Sequence, residues 1–434
     1  MRNELVAMSS PVISYEIRNI VSVAEKLQKY GVIIDWENIG DPIAKGEIIP
    51  QWMKEIACNH VHENRSWGYT HSRGDLKTRE FLAARTNSRG GAQITLDDII
   101  FFNGLGDAIT KIYTNLKPQA RILMPSPTYT THSIAEAHHA SSQPLQYCLQ
   151  PENQWMPDLA NIENQVKYNP QIVGIMLINP DNPTGMVYNT ETLASIVDIA
   201  KRYDLFIISD EVYINIVYNG KVTCPISDLI GDVPAISMKG ISKEFPWPGA
   251  RCGWIEVYNA GKDPHFDRYI NNILKSKLNE VCSTTLPQRC IPEIMSHTLY
   301  PSYLQERINN YEASSIISSD ILSKSRDLIV NPCNGAFYMS VVFSKGSLSN
   351  TQTLPIEQQP VKELVTSLVN TPDTMPDKRF VYYLLASTGI CVVPLSSFST
   401  KLQGFRVTLL EKDVVACKRI YDTIAKKIDE YTSS

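Results

Sequence analysis

The sequence predicts an α/β fold: a large unit on a mainly parallel sheet sandwiched by helices, plus a smaller α+β unit. Three observations carry this. Between about residues 98 and 257, short apolar runs alternate with stretches of helical period, as in successive βαβ units. Polar residues with chemical potential recur just after the C-terminal ends of those runs, where ligands bind on such sheets. Beyond about residue 300 the alternation stops, and one long helix is followed by separated strands.

At 434 residues the chain is long enough for two domains. The division expected is a large domain over 46–300 and a small one made of 1–45 and 301–434. With 43% hydrophobic and 20% charged residues the composition is ordinary for a globular protein. A net charge of −4 and a pI near 6.1 give no reason to expect a nucleic-acid partner. No apolar run approaches the ~20 residues that span a bilayer, so no membrane association is expected. The opening Met1-Arg2-Asn3-Glu4-Leu5-Val6 lacks the apolar core of a signal peptide. Nine cysteines without CxxC spacing fit reduced thiols, and hence the cytoplasm.

Taken in order, residues 14–30 read as an amphipathic helix with Ser14 as N-cap, Ile17, Ile20, Val21, Ala24 and Leu27 on one face, and Gly31 as the stop. Trp36 to Pro42 ends in Gly-Asp-Pro, which reads first as a turn and otherwise as a loop that brings backbone close to a ligand. Leu76–Ala84 reads as a helix. Asp98–Phe102 reads as a strand leading into Asn103-Gly104-Leu105-Gly106, a glycine turn that opens the helix Ala108–Leu116 and offers free N–H groups to an anion. This stretch only partly matches GxGxxG/A, because Ile109 holds the third position and no strand-end acid follows. A single phosphate is preferred to a dinucleotide. Further strands are expected at Arg121–Met124, Ile172–Ile178, Leu205–Ser209, Ala235–Met238 and Cys252–Val257, with a helix at Thr190–Tyr203. The small unit should hold a helix at Tyr303–Ser323, strand residues within Asn331–Phe343, a polar loop over 345–360 and a helix near 377–387. It should close with strands Ile390–Val393 and Phe405–Leu410 and a helix Asp413–Tyr431.

Four strand ends carry candidate chemistry: Pro125-Ser126-Pro127-Thr128-Tyr129, Asn179-Pro180-Asp181-Asn182-Pro183-Thr184-Gly185, Asp210-Glu211-Val212-Tyr213, and Gly240 through Trp254. In the last, Lys243 and Arg251 lie among Gly, Pro and aromatic residues. A lysine held against apolar bulk is partly desolvated, which lowers its pKa and frees its amine as a Schiff-base former. An arginine fork suits a phosphate. Together they suggest pyridoxal phosphate.

The combination of NPxNPTG, DExY and SK…GxRxGW, in order and over nearly the whole chain, resembles the class I/II aminotransferases, pyridoxal-phosphate enzymes of fold type I. The resemblance implies a seven-stranded central sheet and a homodimer with shared active sites. It also implies a ping-pong exchange of an amino group between an L-amino acid and a 2-oxo acid. By that likeness Lys243 forms the Schiff base and moves the substrate proton, and Asp210 pairs with the pyridine nitrogen. Asn182 and Tyr213 hydrogen-bond the phenolic oxygen, and Tyr129 stacks on the ring. Leu105, Gly106, Ser242 and Arg251 take the phosphate, and Tyr69 reaches the phosphate of the neighbouring subunit. Arg406, Asn182 and Gly40 meet the substrate, Arg406 by a bidentate contact to its α-carboxylate.

Two departures bear on geometry. Gly240 stands where many relatives have a phosphate-binding serine, and Pro394-Leu395-Ser396-Ser397-Phe398-Ser399 replaces PGSxFG. The motifs alone do not separate transamination from β-elimination of a sulfur amino acid, decarboxylation or oxidation on the same fold, nor from a non-catalytic cofactor-binding regulator. Arg65, Arg73 and Arg289 read as surface charges, and none is assigned to an acidic substrate.

Overall fold

The computed structural model describes residues 16–371 and 374–434, so the Ser14 cap lies outside the described residues. Fourteen strands are present among them. The first, β1 (Asp35–Trp36), belongs to the small unit. The large sheet is made of β2 (Ile99–Phe102), β3 (Arg121–Ser126), β4 (Leu145–Gln150), β5 (Met156–Pro157), β6 (Ile172–Ile178), β7 (Phe206–Asp210), β8 (Ala235–Gly240) and β9 (Gly253–Tyr258). Its order is β2-β9-β8-β7-β6-β3-β4-β5. The run β8-β7-β6-β3-β4 is parallel, and β9 is antiparallel to both its neighbours. The sheet is thus the seven strands that the resemblance implies plus β5, a two-residue antiparallel edge strand on β4; β4 itself is not among the six strands expected by position.

The central strands are rich in apolar residues on both faces because both faces are covered. Ile175 and Leu177 of β6 pack into one core layer, and Met176 and Ile178 into the other. Ile99 and Phe101 of β2 divide from Ile100 and Phe102 in the same way. Each such side chain contributes roughly 1.5–3 kcal/mol on burial, so register is fixed from both sides. Helix starts are set by short polar caps. Asp75 accepts from the Thr78 amide before Leu76–Asn87, Asn189 from Thr192 before Thr190–Arg202, and Asp413 from Val415 and Ala416 before Val414–Thr432.

The small unit holds β10 (Leu328–Val330), β11 (Tyr338–Phe343), β12 (Ile390–Cys391), β13 (Val393–Pro394) and β14 (Gly404–Thr408). Four of these form an antiparallel sheet ordered β10-β11-β14-β13, and β12 pairs in parallel with β1. The single strand expected at Ile390–Val393 is therefore two. The chain changes partner at Val392, and Pro394 has no N–H with which to extend the ladder. The long helix runs Tyr300–Leu322, three residues earlier than expected, with Pro301 in its first turn. Helices at Gln51–His62, Leu159–Tyr168, Pro264–Leu278 and Thr285–Ser296 complete the cover of the large sheet.

Candidate active site

Five loops meet at the C-terminal edge of the parallel strands. From β8 the chain enters a single helical turn, Ile241–Glu244, that carries Ser242 and Lys243. Both are half-buried. Lys243 Nζ donates to the Gly40 carbonyl at 2.7 Å and lies 5.5 Å from the centre of the Phe337 ring. Arg307, buried on the long helix, donates to the carbonyls of both Lys243 and Glu244, and its Nε lies 3.2 Å from Glu47. So short a helix cannot satisfy its own C-terminal carbonyls, and Arg307 does so for it.

Asp210 ends β7 and is buried. Its Oδ2 lies 3.2 Å from His132 Nε2, and its Oδ1 accepts from the Val212 amide at 3.2 Å. Asn182 and Tyr213 are buried beside it. Asn182 Oδ1 accepts from Arg406 Nη1 at 3.3 Å, and Tyr213 donates to the Tyr338 hydroxyl at 3.2 Å. Burial, with Tyr338 as the next cause, holds the Tyr213 hydroxyl well above the ordinary tyrosine range, so it stays protonated. Tyr129 caps the helix Thr130–Ala140, and its ring meets that of His132 at 6.3 Å.

Arg406 projects from β14, buried between the rings of Tyr338 at 4.5 Å and Phe398 at 5.0 Å. It also donates to the Asn38 carbonyl. Asn38 and Gly40, from the loop after β1, therefore touch Arg406 and Lys243 respectively. Gly40 is required sterically, because a Cβ there would lie 1.8 Å from the Tyr338 hydroxyl.

Gly104 ends the β2 loop at φ +81° and gives the helix Leu105–Thr114 no side-chain cap. The amides of Leu105 and Gly106 sit in that first turn, and the Arg251 guanidinium lies over Gly104. A Cβ at Gly104 would come within 2.5 Å of Arg251 Nη2. A helix N-terminus facing a guanidinium is a cradle for a phosphate. Together with the Lys243 amine and the buried Asp210 carboxylate, it fits pyridoxal phosphate at both ends of that molecule.

The two departures are accommodated. At Gly240 a Cβ would sit 3.3 Å from the Cys252 carbonyl and 3.6 Å from Leu105 Cγ, so the position is close-packed against β9 and the cradle. In Leu395–Phe398 the chain makes a 3-10 turn and leaves it at Ser399, at φ +54°. The Ser399 carbonyl accepts from Ser126 Oγ at 3.0 Å and Gln146 Nε2 at 2.7 Å. Those bonds hold a non-glycine residue in the left-handed region, and Phe398 still reaches Arg406.

Tyr69 is not part of this assembly within one chain, being 84% exposed. Arg65 pairs with Glu63, Arg73 with the Asp97 carbonyl, and Arg289 with Asp75, all away from Arg406. Sequence reading missed His132, Arg307, Tyr338 and Asn38. His132 follows Tyr129 at the i,i+3 spacing that shares a helix face, which was a usable signal. The others are brought in by tertiary packing and left no local trace.

The family model for aminotransferase class I and II matches residues 38–420. An uncharacterized aminotransferase of Methanocaldococcus jannaschii is 55% identical over 431 residues, 99% of each chain. The glutamate-pyruvate aminotransferase AlaA of Escherichia coli is 30% identical over 282 residues, 64% of this chain and 68% of its own. Among solved structures, an alanine aminotransferase from Pyrococcus furiosus superposes with a TM-score of 0.84 at 25% identity, covering 98% of this chain and 100% of its own.

Proposed function

The chain belongs to the class I and II aminotransferases and is a pyridoxal-phosphate-dependent enzyme that moves amino groups between amino acids and 2-oxo acids; we propose that Lys243, Asp210, Tyr213 and Arg406 carry that reaction. The observation behind this assignment is their convergence: Lys243 on Gly40, Arg406 on Asn182 and Asn38, and Tyr213 on Tyr338, which itself lies against Arg406 and Gly40. When bound, pyridoxal phosphate supplies an aldehyde carbon for an amine and a ring that draws electrons from the substrate Cα.

The chain's own contribution starts with placement. Leu105, Gly106, Ser242 and Arg251 would hold the phosphate. Asp210, fixed by His132 and the Val212 amide, would pair with the ring nitrogen. Asn182 and Tyr213 would donate to the phenolic oxygen, and Tyr129 would stack on the ring. Arg406 takes the α-carboxylate of the amino acid as a two-pronged contact, its plane set by Tyr338 and Phe398. That contact aims the Cα–H bond, and Lys243 Nζ removes the proton and returns it as general acid-base. The Gly40 carbonyl gives the amine a resting position between those tasks.

The finer reading is a homodimer with shared sites, in which Tyr69 from one copy completes the phosphate cradle of the other. Its exposure, and that of Trp67 at 76%, supports a covering surface there. The chain is read as a large domain over 46–300 and a small one made of 1–45 and 301–434, with the loop at 37–47 bridging them. The nine free thiols favour the cytoplasm; among the described residues no helix is long and apolar enough to cross a membrane. The relatives' names make alanine, glutamate and pyruvate the first substrates to try.

The test is a panel of amino acids given to cofactor-loaded protein with one 2-oxo acid acceptor at a time. Expected is formation of the matching 2-oxo acid and the new amino acid in equal amounts, abolished in Lys243→Ala. Ammonia or carbon dioxide release without amino transfer would overturn this assignment.

A further inference from the structure

Tyr338 lies where the groups of the site meet, although no motif marks it. It sits on β11 beside β14, the strand of Arg406. It is buried, and its contacts are of three kinds. Its ring lies 4.5 Å from the Arg406 guanidinium. Its hydroxyl is 3.2 Å from that of Tyr213, the two rings standing edge-on at 5.9 Å. The same hydroxyl packs on Gly40, whose carbonyl accepts from Lys243. Moving Tyr338 would therefore disturb Arg406, Tyr213 and the Gly40 loop together.

We infer that Tyr338 is a positioning residue that serves as hydrogen-bond donor to Tyr213 and as a platform for Arg406. The inference rests on the roles given above to Lys243, Tyr213 and Arg406. Each tyrosine hydroxyl has one proton to give and room to accept. In the structure Tyr213 donates to Tyr338; if Tyr213 instead gave its proton to the phenolic oxygen of the cofactor, that bond would reverse and its proton would come from Tyr338. A hydrogen bond received by Tyr213 makes it a stronger donor in turn. The platform role is separate: an aromatic face under a guanidinium holds its plane by cation–π attraction, and the plane decides whether both prongs reach a carboxylate. The charged and titratable groups facing the tyrosine pair are Asp210 and Tyr129 from the ends of β7 and β3, Arg406 from β14, and Lys243 across Gly40.

The two roles separate experimentally. Tyr338→Phe removes the hydroxyl and keeps the platform; Tyr338→Leu removes both. The readouts are the pH midpoint of the bound cofactor's visible absorbance and the KM and kcat for an amino acid that the wild type accepts. A weaker donor at the phenolic oxygen disfavours its anionic form, so loss of the hydroxyl should raise the midpoint in both variants. A single neutral hydrogen bond corresponds to about half to one pH unit. KM should stay within about twofold in Tyr338→Phe and rise about thirtyfold in Tyr338→Leu, the size of a desolvated cation–π contact. An unchanged midpoint in Tyr338→Phe would overturn the donor role, and equal KM in both variants the platform role. If the wild type shows no cofactor band that Lys243→Ala removes, the failure is in the reading of the site itself, and the inference goes with it.

Discussion

Lys243 and Gly40, 203 residues apart in the chain, are joined by a hydrogen bond of 2.7 Å from the lysine amine to the glycine carbonyl. Through it the loop after β1 holds the amine proposed to carry the chemistry, while the missing side chain of Gly40 admits the Tyr338 hydroxyl. Gly40→Ala sets a Cβ 1.8 Å from that hydroxyl, so the buried Tyr338 ring must shift. Overpacking of this kind costs about 1–3 kcal/mol. Expected is a kcat/KM lowered about 10- to 100-fold, with a fall of a few degrees in melting temperature. Steady-state kinetics and thermal melting check it; wild-type kinetics in a folded variant would show that the close approach has no role.

Arg406→Lys keeps the charge and loses the fork. A lysine cannot reach Asn182, Asn38 and both oxygens of a carboxylate at once. Loss of a buried charged hydrogen bond costs about 1.5–3 kcal/mol, so kcat/KM should drop on the order of 10- to 100-fold, mostly in KM. Cofactor affinity should stay near wild type, because the role proposed for Arg406 is at the substrate. A variant that lost cofactor instead would move Arg406 out of the substrate role.

Gly104→Ala tests the phosphate cradle. The residue needs φ +81°, and its Cβ would meet Arg251 Nη2 at 2.5 Å. Left-handed strain alone costs about 1 kcal/mol, and displacement of the guanidinium weakens the phosphate contact further. Equilibrium dialysis should show cofactor binding weakened about tenfold or more, with partial rescue at high cofactor concentration. Unchanged affinity would place the phosphate elsewhere.

Much of this site was legible in the sequence because its residues lie on local motifs at strand ends. Asp210 ends an apolar strand, and Tyr129, Asn182 and Lys243 lie three or four residues beyond one, so strand ends pointed to their loops, while the choice of residue within each loop came from the family resemblance. Arg307, Tyr338 and Asn38 could not be found that way. They act from elements that reach the site only after the small unit has packed, and each looks locally like an ordinary helix, strand or loop residue. Gly40 was legible as a turn, and its reason, the Tyr338 hydroxyl, was not. The split of Ile390–Val393 into β12 and β13 escaped for a similar cause: it depends on β1, more than 350 residues earlier in the chain.

Asp181, in the middle of the NPxNPTG motif, is fully buried. Its Oδ2 accepts from the Thr184 amide at 3.1 Å and the Thr184 hydroxyl at 2.6 Å, while its Oδ1 is buried with no hydrogen-bond partner among the described residues. Burial, opposed only in part by Thr184, raises its pKa to about 7. The sign follows from linkage. In the unfolded chain this carboxyl loses its proton near pH 4, whereas the folded state keeps it until about pH 7. Its contribution to stability is therefore complete below about pH 4 and is lost as pH rises through 7, by at most about 4 kcal/mol. Asp181→Asn presents an amide where the protonated acid stands, its oxygen toward Thr184, and does not titrate. The variant should gain on the wild type between pH 5 and pH 8, most of the gain arriving by pH 7. Denaturant midpoints at the two pH values test this, and parallel curves for variant and wild type would mean that Asp181 is ionised in the folded protein.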